Sequence, residues 1–265
     1  MDKLIKPGRV IFALGVIALG ILGIISKDFI IGRPPAWPAV FEPNPLLAYL
    51  SGAILLIAGI AIIFERKAVF ASLVIAGLIL LLSVCRHLPQ FMNDWANAYK
   101  AMALFGGSLI LAASFLNVDD ISRTLGANKS RRQIFIFTGC VLLAAFFIAC
   151  GYAHFKFATF VKDFIPAYIP FRSFWTYFCG ICLFAGGIGL LLPVSRRWAA
   201  LLSGIMVAGW FIFLHIPRFI ANTKDVGDRM GLCESFTFAG MANTRTLVIT
   251  LVPIGAISGK TFHLK

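Results

Sequence analysis

Apolar residues fall along this chain in eight runs, roughly 10–25, 45–64, 68–85, 101–118, 134–153, 173–192, 198–216 and 236–257. Each is long enough, or nearly so, to cross about 30 Å of hydrocarbon as a helix. None alternates with the period of two that a barrel strand needs, and backbone amides cannot stay unpaired in lipid, so the runs are predicted to be helices. The punctuation between them agrees. Pro45 opens the second run, Glu65-Arg66-Lys67 closes it, and Pro193 to Arg197 does the same later. Pro253 falls inside the last run and is expected to kink it. The first run follows Lys3, Lys6 and Arg9, as in a secretory signal, but its exit Ile25-Ser26-Lys27-Asp28 lacks a small-x-small cleavage site. An uncleaved first helix is expected.

The runs repeat. Residues 49–91 align without gaps on 177–219, matching Tyr49 with Tyr177, Gly52 with Gly180, Gly59 with Gly187 and Ala71 with Ala199. Both copies end alike, in His87-Leu88-Pro89-Gln90-Phe91 and His215-Ile216-Pro217-Arg218-Phe219. After a small register shift Gly20 matches Gly151 and Pro35 matches Pro166. The expected fold is therefore all-α, a polytopic integral membrane protein of eight helices in two four-helix repeats. They occupy residues 1–118 and 133–265, joined by a cytoplasmic loop, 119–132. Four is an even number, so the repeats enter the membrane in the same sense and are parallel.

Composition supports the membrane and changes the reading of charge. Apolar residues make up 60% of the 265, charged residues 13%, and the mean hydropathy is +0.90. A soluble domain carries about a quarter charged residues. The net charge of +13 would suggest nucleic acid in a soluble protein. Here the basic residues sit in short clusters between apolar runs, where they set topology and meet lipid headgroups. Nucleic acid is excluded as a partner; the bilayer is the expected one. With the N-terminus inside, thirteen Lys and Arg lie on the inner side, ten on the outer, and Arg245 within a span. Both termini are expected in the cytoplasm of a cell-membrane protein.

Candidate chemistry is sparse. His87, His154 and His215 fall near the outer ends of their helices, where imidazole can hydrogen-bond a carbonyl or exchange a proton; the same residues also read as helix endings. Metal binding is not expected, since no helix carries a second ligand at the right spacing. Cys179-Gly180-Ile181-Cys182 puts two sulfurs on one helical face, a candidate dithiol. Small apolar packing residues are the other reading, because the first copy has Ser51 and Ile54 there. Arg245, near the middle of the last run, costs about 2.5–3.5 kcal/mol to insert and should face the bundle interior, with Glu234 or Asp228 within reach. Phosphate-binding glycine loops, nucleophile elbows, His-Glu-x-x-His and haem-attachment motifs are missing.

The second half resembles a known family. Gly151-Tyr152-Ala153-His154-Phe155, Ile165-Pro166, Ile169-Pro170, Trp175, Gly180 and the run Gly186 to Leu192, closed by Arg196-Arg197, resemble the DoxX membrane proteins. The likeness covers about 139–219 well and 9–116 weakly. Gly23 stands where the second half has His154, so that histidine's role is not duplicated. The resemblance implies a redox-associated membrane subunit that contacts quinone or a partner oxidoreductase. His87, His154, His215 and Arg245 would be its polar contacts and Cys179 and Cys182 its redox-active candidates. A small-solute or ion transporter and a non-catalytic scaffold or assembly factor stand beside that reading.

Overall fold

The computed structural model describes residues 5–39, 44–116 and 127–242, and among these the chain is all helix with no strand. The long helices are α1 (Ile5–Ser26), α2 (Pro45–Ile63), α3 (Ala68–His87), α4 (Trp95–Phe115), α5 (Ala127–Lys156), α7 (Arg172–Leu191), α8 (Arg196–Trp210) and α10 (Val226–Ala242). Two short ones, α6 (Ala158–Phe164) and α9 (Ile216–Ala221), lie between them. Among the described residues, seven stretches are long and apolar enough to cross a membrane: α1, α2, α3 with the turn after it, α4, α5, α7, and the α8-to-α9 helix through Ala221.

The helix ends follow from local chemistry. The Asn44 side chain accepts a hydrogen bond from the Leu46 amide, and Pro45 occupies the first turn, where a missing N–H costs nothing. Glu65 and Lys67 both take the left-handed conformation, which reverses the chain between α2 and α3 within four residues. Asp225 accepts from the Asp228 amide at the start of α10.

Four helices form the centre: α4 packs along α5, α10 along α1, and α10 also touches α4. The hairpins α2–α3 and α7–α8 flank this centre, α2 against α1 and α7 against α5. Glycines set the approach. A Cβ on Gly59 would lie 2.5 Å from Ile17 and 3.0 Å from the Ala13 carbonyl; one on Gly187 would lie 2.7 Å from Ile148 and 2.9 Å from the Ala144 carbonyl. Gly20 likewise meets the Gly52 backbone, and Gly151 the Gly180 backbone. Without a hydrophobic force between helices in lipid, such backbone contact is what holds helix pairs together. Outward faces are apolar instead: Ile57, Phe64, Phe70, Phe137, Leu202 and Ile205 are all more than half exposed. A soluble protein rarely shows so much contiguous apolar surface.

The structure departs from the sequence reading in four places, the first being that α4 begins at Trp95 rather than near 101. The last helix begins at Val226 rather than near 236, because Asp228 and Glu234 are buried in partnered positions that let a polar first half join the bundle. The interhelical loop assigned to 119–132 is helical from Ala127 onward. Pro217 does not end its helix: one π-type turn, Phe211–His215, absorbs the missing hydrogen bond, and α9 continues to Ala221. Arg245, Pro253 and the predicted span beyond Ala242 lie outside the described residues.

Candidate functional site

The loop after α1 builds the first wall of the site. It carries Lys27-Asp28-Phe29-Ile30, and the same four residue types recur as Lys162-Asp163-Phe164-Ile165 after α5. Phe29, Ile30 and Ile31 are fully buried, so this loop folds into the bundle rather than over it. Arg86, 3% exposed, holds it there: the guanidinium pairs with Asp28 at 2.8 Å and donates to the carbonyls of Phe29 (2.7 Å) and Pro35 (2.5 Å). It also lies 4.5 Å from the Trp37 ring. On α9, Arg218 makes a similar set of contacts. It donates to the Phe164 carbonyl at 3.2 Å, stacks on that ring at 3.7 Å and pairs with Asp228 at 2.9 Å.

Past Ile31 the loop reaches the centre through two consecutive left-handed residues, Gly32 (φ 80°) and Arg33 (φ 51°). Gly32 fits because a Cβ there would lie 2.7 Å from the Ala101 side chain. Its amide donates to Glu234 at 2.7 Å, and Lys100 pairs with the other Glu234 oxygen at 3.3 Å. Lys100 also donates to Asn97 (3.2 Å), which donates to Asp94 (2.8 Å). A polar chain thus runs from Asp94, just outside α4, to the buried Glu234. Burial pushes the Asp94 carboxyl up from its usual range, opposed by the Asn97 hydrogen bond and the Lys100 charge.

This chain ends at a cavity of about 340 Å³ among α4, α5, α6, α7, α8 and α10, within the range of small-molecule sites, roughly 300–1,000 Å³. Its walls are mainly apolar and aromatic, with Phe146, Phe147, Phe164, Trp175, Trp210 and Phe238 prominent. Polar groups gather at one end: Arg33, Asn97, Lys100, His154, His215 and Glu234. The Nε of Arg33 and the Nδ1 of His215 are buried without a hydrogen-bond partner among the described residues. Alongside lies an apolar groove of about 900 Å³ between α7 and α8. Trp175, Cys179, Trp210, Leu214 and Ile165 line both.

Of the residues singled out from sequence, His154, His215 and Cys179 line this cavity. His154 donates through Nδ1–H to the Cys150 carbonyl, 2.8 Å away, and stacks on Trp210. Cys182 faces the groove only, and both thiols are free. His87 is separated from the others. It is buried at the end of α3 against the Ile31 backbone, because the inward loop takes the space that is open beside His215. The two carboxylates considered for Arg245 have other partners, Lys100 and Gly32 for Glu234 and Arg218 for Asp228.

Arg33, Lys100 and Glu234 went unrecognised from sequence for a definite reason. The predicted helices began at 101 and 236, which left Lys100 and Glu234 outside the bundle as loop charges. The doubled Lys-Asp-Phe-Ile was the available signal, since it marks the loop after α1 and the end of α6, both of which pack on the ends of long helices.

Together, the exposed apolar faces and seven long apolar helices define the class: an α-helical protein suited to a membrane. A family described as a domain of unknown function, DUF8561, matches residues 143–222, which span α7, α8, α9 and most of the cavity's second-half lining. No curated protein and no solved structure matches the chain.

Proposed function

We propose that this chain is a DoxX-like membrane subunit of a redox system that holds a quinone in the cavity and serves a partner oxidoreductase. The cavity carries the reading: flat aromatic walls suit a conjugated ring, and unpartnered donors at one end suit its carbonyl. The α7–α8 groove supports it, because a lipophilic ligand would enter sideways from the bilayer past Trp175 and Cys179. When bound, a quinone supplies the electron-carrying chemistry. The chain's own residues would seat the ring and exclude water, with Lys100 and Glu234 as the proton-carrying groups beside it.

The same proposal includes two parallel four-helix repeats, α1 to α4 and α5 to α10, with α10 opening the eighth span. Support comes from recurring contacts: Gly59 on Ile17 and Gly187 on Ile148, Gly52 beside Gly20 and Gly180 beside Gly151. Both termini would lie in the cytoplasm. In a cysteine-free background, Asp94→Cys should react with an impermeant maleimide on intact cells, and Arg66→Cys only after permeabilisation. The reverse pattern would invert the topology.

The functional test is lipid extraction of protein purified in mild detergent, followed by quinone analysis, and titration with decylubiquinone. Co-purified quinone and saturable quenching of tryptophan fluorescence are expected, since Trp175 and Trp210 line the cavity. A preparation without quinone that also fails to quench would reject the reading, and solute uptake by proteoliposomes would then favour a transporter.

A further inference from the structure

One corner of the cavity is built for a particular chemical group. Gly231, on α10, faces both His215 and Arg33: a Cβ added to it would lie 2.8 Å from the His215 Nδ1 and 3.3 Å from an Arg33 terminal nitrogen. The two side chains therefore pack side by side against the bare backbone of Gly231, which only the lack of a side chain at 231 permits, and all three residues line the cavity. Each brings a buried nitrogen with no hydrogen-bond partner among the described residues, Nε of Arg33 and Nδ1 of His215. Buried polar groups are almost always paired, so two orphans on residues that line one cavity mark a missing partner.

The charge count gives that partner's nature. Glu234 is taken by Lys100 and by the Gly32 amide. Arg33 donates one bond, to the Gly227 carbonyl at 2.5 Å, and forms no ion pair among the described residues. Its guanidinium is a donor only, and it is held in place by a left-handed backbone that a non-glycine residue adopts only when its surroundings impose it. The corner lacks an acceptor, and a negative one satisfies it best.

We propose that Arg33, His215 and the bare backbone at Gly231 anchor an oxygen acceptor, a conjugated carbonyl or a carboxylate, carried on an apolar body that fills the aromatic part of the cavity. The proposal rests on the reading of the cavity as a ligand site, and not on the ligand being a quinone. Arg33 donates to the oxygen, His215 donates in the tautomer with its proton on Nδ1, and Gly231 lets both side chains sit close against α10.

Binding of radiolabelled decylubiquinone and of radiolabelled decanoate to the full chain in nanodiscs tests this, with empty nanodiscs as background. Wild type should bind at least one saturably. Arg33→Gln and Gly231→Ala should each weaken that binding about tenfold or more, the loss of one bond to a charged donor or of the space for it. Ser83→Ala, away from the cavity, should bind as wild type. Gly231→Ala keeps both donor residues but takes the space their side chains occupy beside α10, so it tests the corner even if Arg33→Gln folds poorly. Unchanged affinity in both variants overturns the corner and leaves the cavity reading standing. Binding of neither probe by wild type removes both. Decanoate binding without quinone binding keeps the corner and discards the quinone.

Discussion

Glu234→Leu is expected to destabilise the protein by about 3–5 kcal/mol, the range for removing one partner of a buried ion pair. Glu234 is 3% exposed, pairs with Lys100 at 3.3 Å and accepts the Gly32 amide at 2.7 Å. Leucine would leave the ammonium and the amide facing an apolar interior together. The Lys100 side chain keeps 20% of its exposure, through the cavity, which favours the lower end of that range. Lys100→Met combined with Glu234→Leu should recover much of the loss, because an apolar pair strands no charge. Thermal melts in one detergent, for both single variants and the double, decide it. A double variant no more stable than Glu234→Leu would show that the pair is not the source of the effect.

The second large effect is at Arg86. Arg86→Leu should cost about 2–6 kcal/mol, because the buried carbonyl of Phe29 and the part-buried carbonyl of Pro35 lose their donor at roughly 1–3 kcal/mol each, the Pro35 loss lying at the lower end. Asp28 adds little, since its side chain is 37% exposed and can hydrate. Arg86→Lys should recover only part, as a single ammonium cannot reproduce the planar fork that reaches both carbonyls and the carboxylate. The released segment contains Lys27, so trypsin should cut after it faster in Arg86→Leu than in wild type; the bond after Arg33 leads into Pro34 and resists trypsin. Because Gly32 and Arg33 hang from the same loop, ligand binding should fall as well. Equal proteolysis and equal melting would mean that the buried apolar Phe29–Ile31 segment holds the loop unaided.

What remained hidden in the sequence shares one physical cause. Apolar runs mark helix middles well, but a hydropathy reading trims a helix wherever a charge appears. Lys100 and Glu234 were lost in this way. Each looks too polar for a bundle interior, and each is admitted because the other stands 3.3 Å away on a helix more than a hundred residues off in sequence. Arg86 was passed over beside His87 as an outer-loop cation, although it is among the most buried charges in the protein. Its partners, Asp28, Phe29 and Pro35, lie on a loop whose inward path no local pattern announces. The equivalence of His87 and His215 was visible as a motif. That one is covered by the chain's own backbone and the other faces a cavity depends on how far each loop folds inward.

By itself, the sequence determined the helical class, the start of α2, the turn between α2 and α3, and the glycine positions where helices touch, such as Gly59 and Gly187. These follow from local rules: apolar length, proline and capping chemistry, and the absence of a side chain where backbones meet. Only the tertiary structure decided which charges are interior, which histidines share a cavity, and that Arg33 and His215 converge on Gly231. Those properties belong to pairs of distant residues, and the energy that makes a buried charge tolerable lies in the partner rather than in the residue itself.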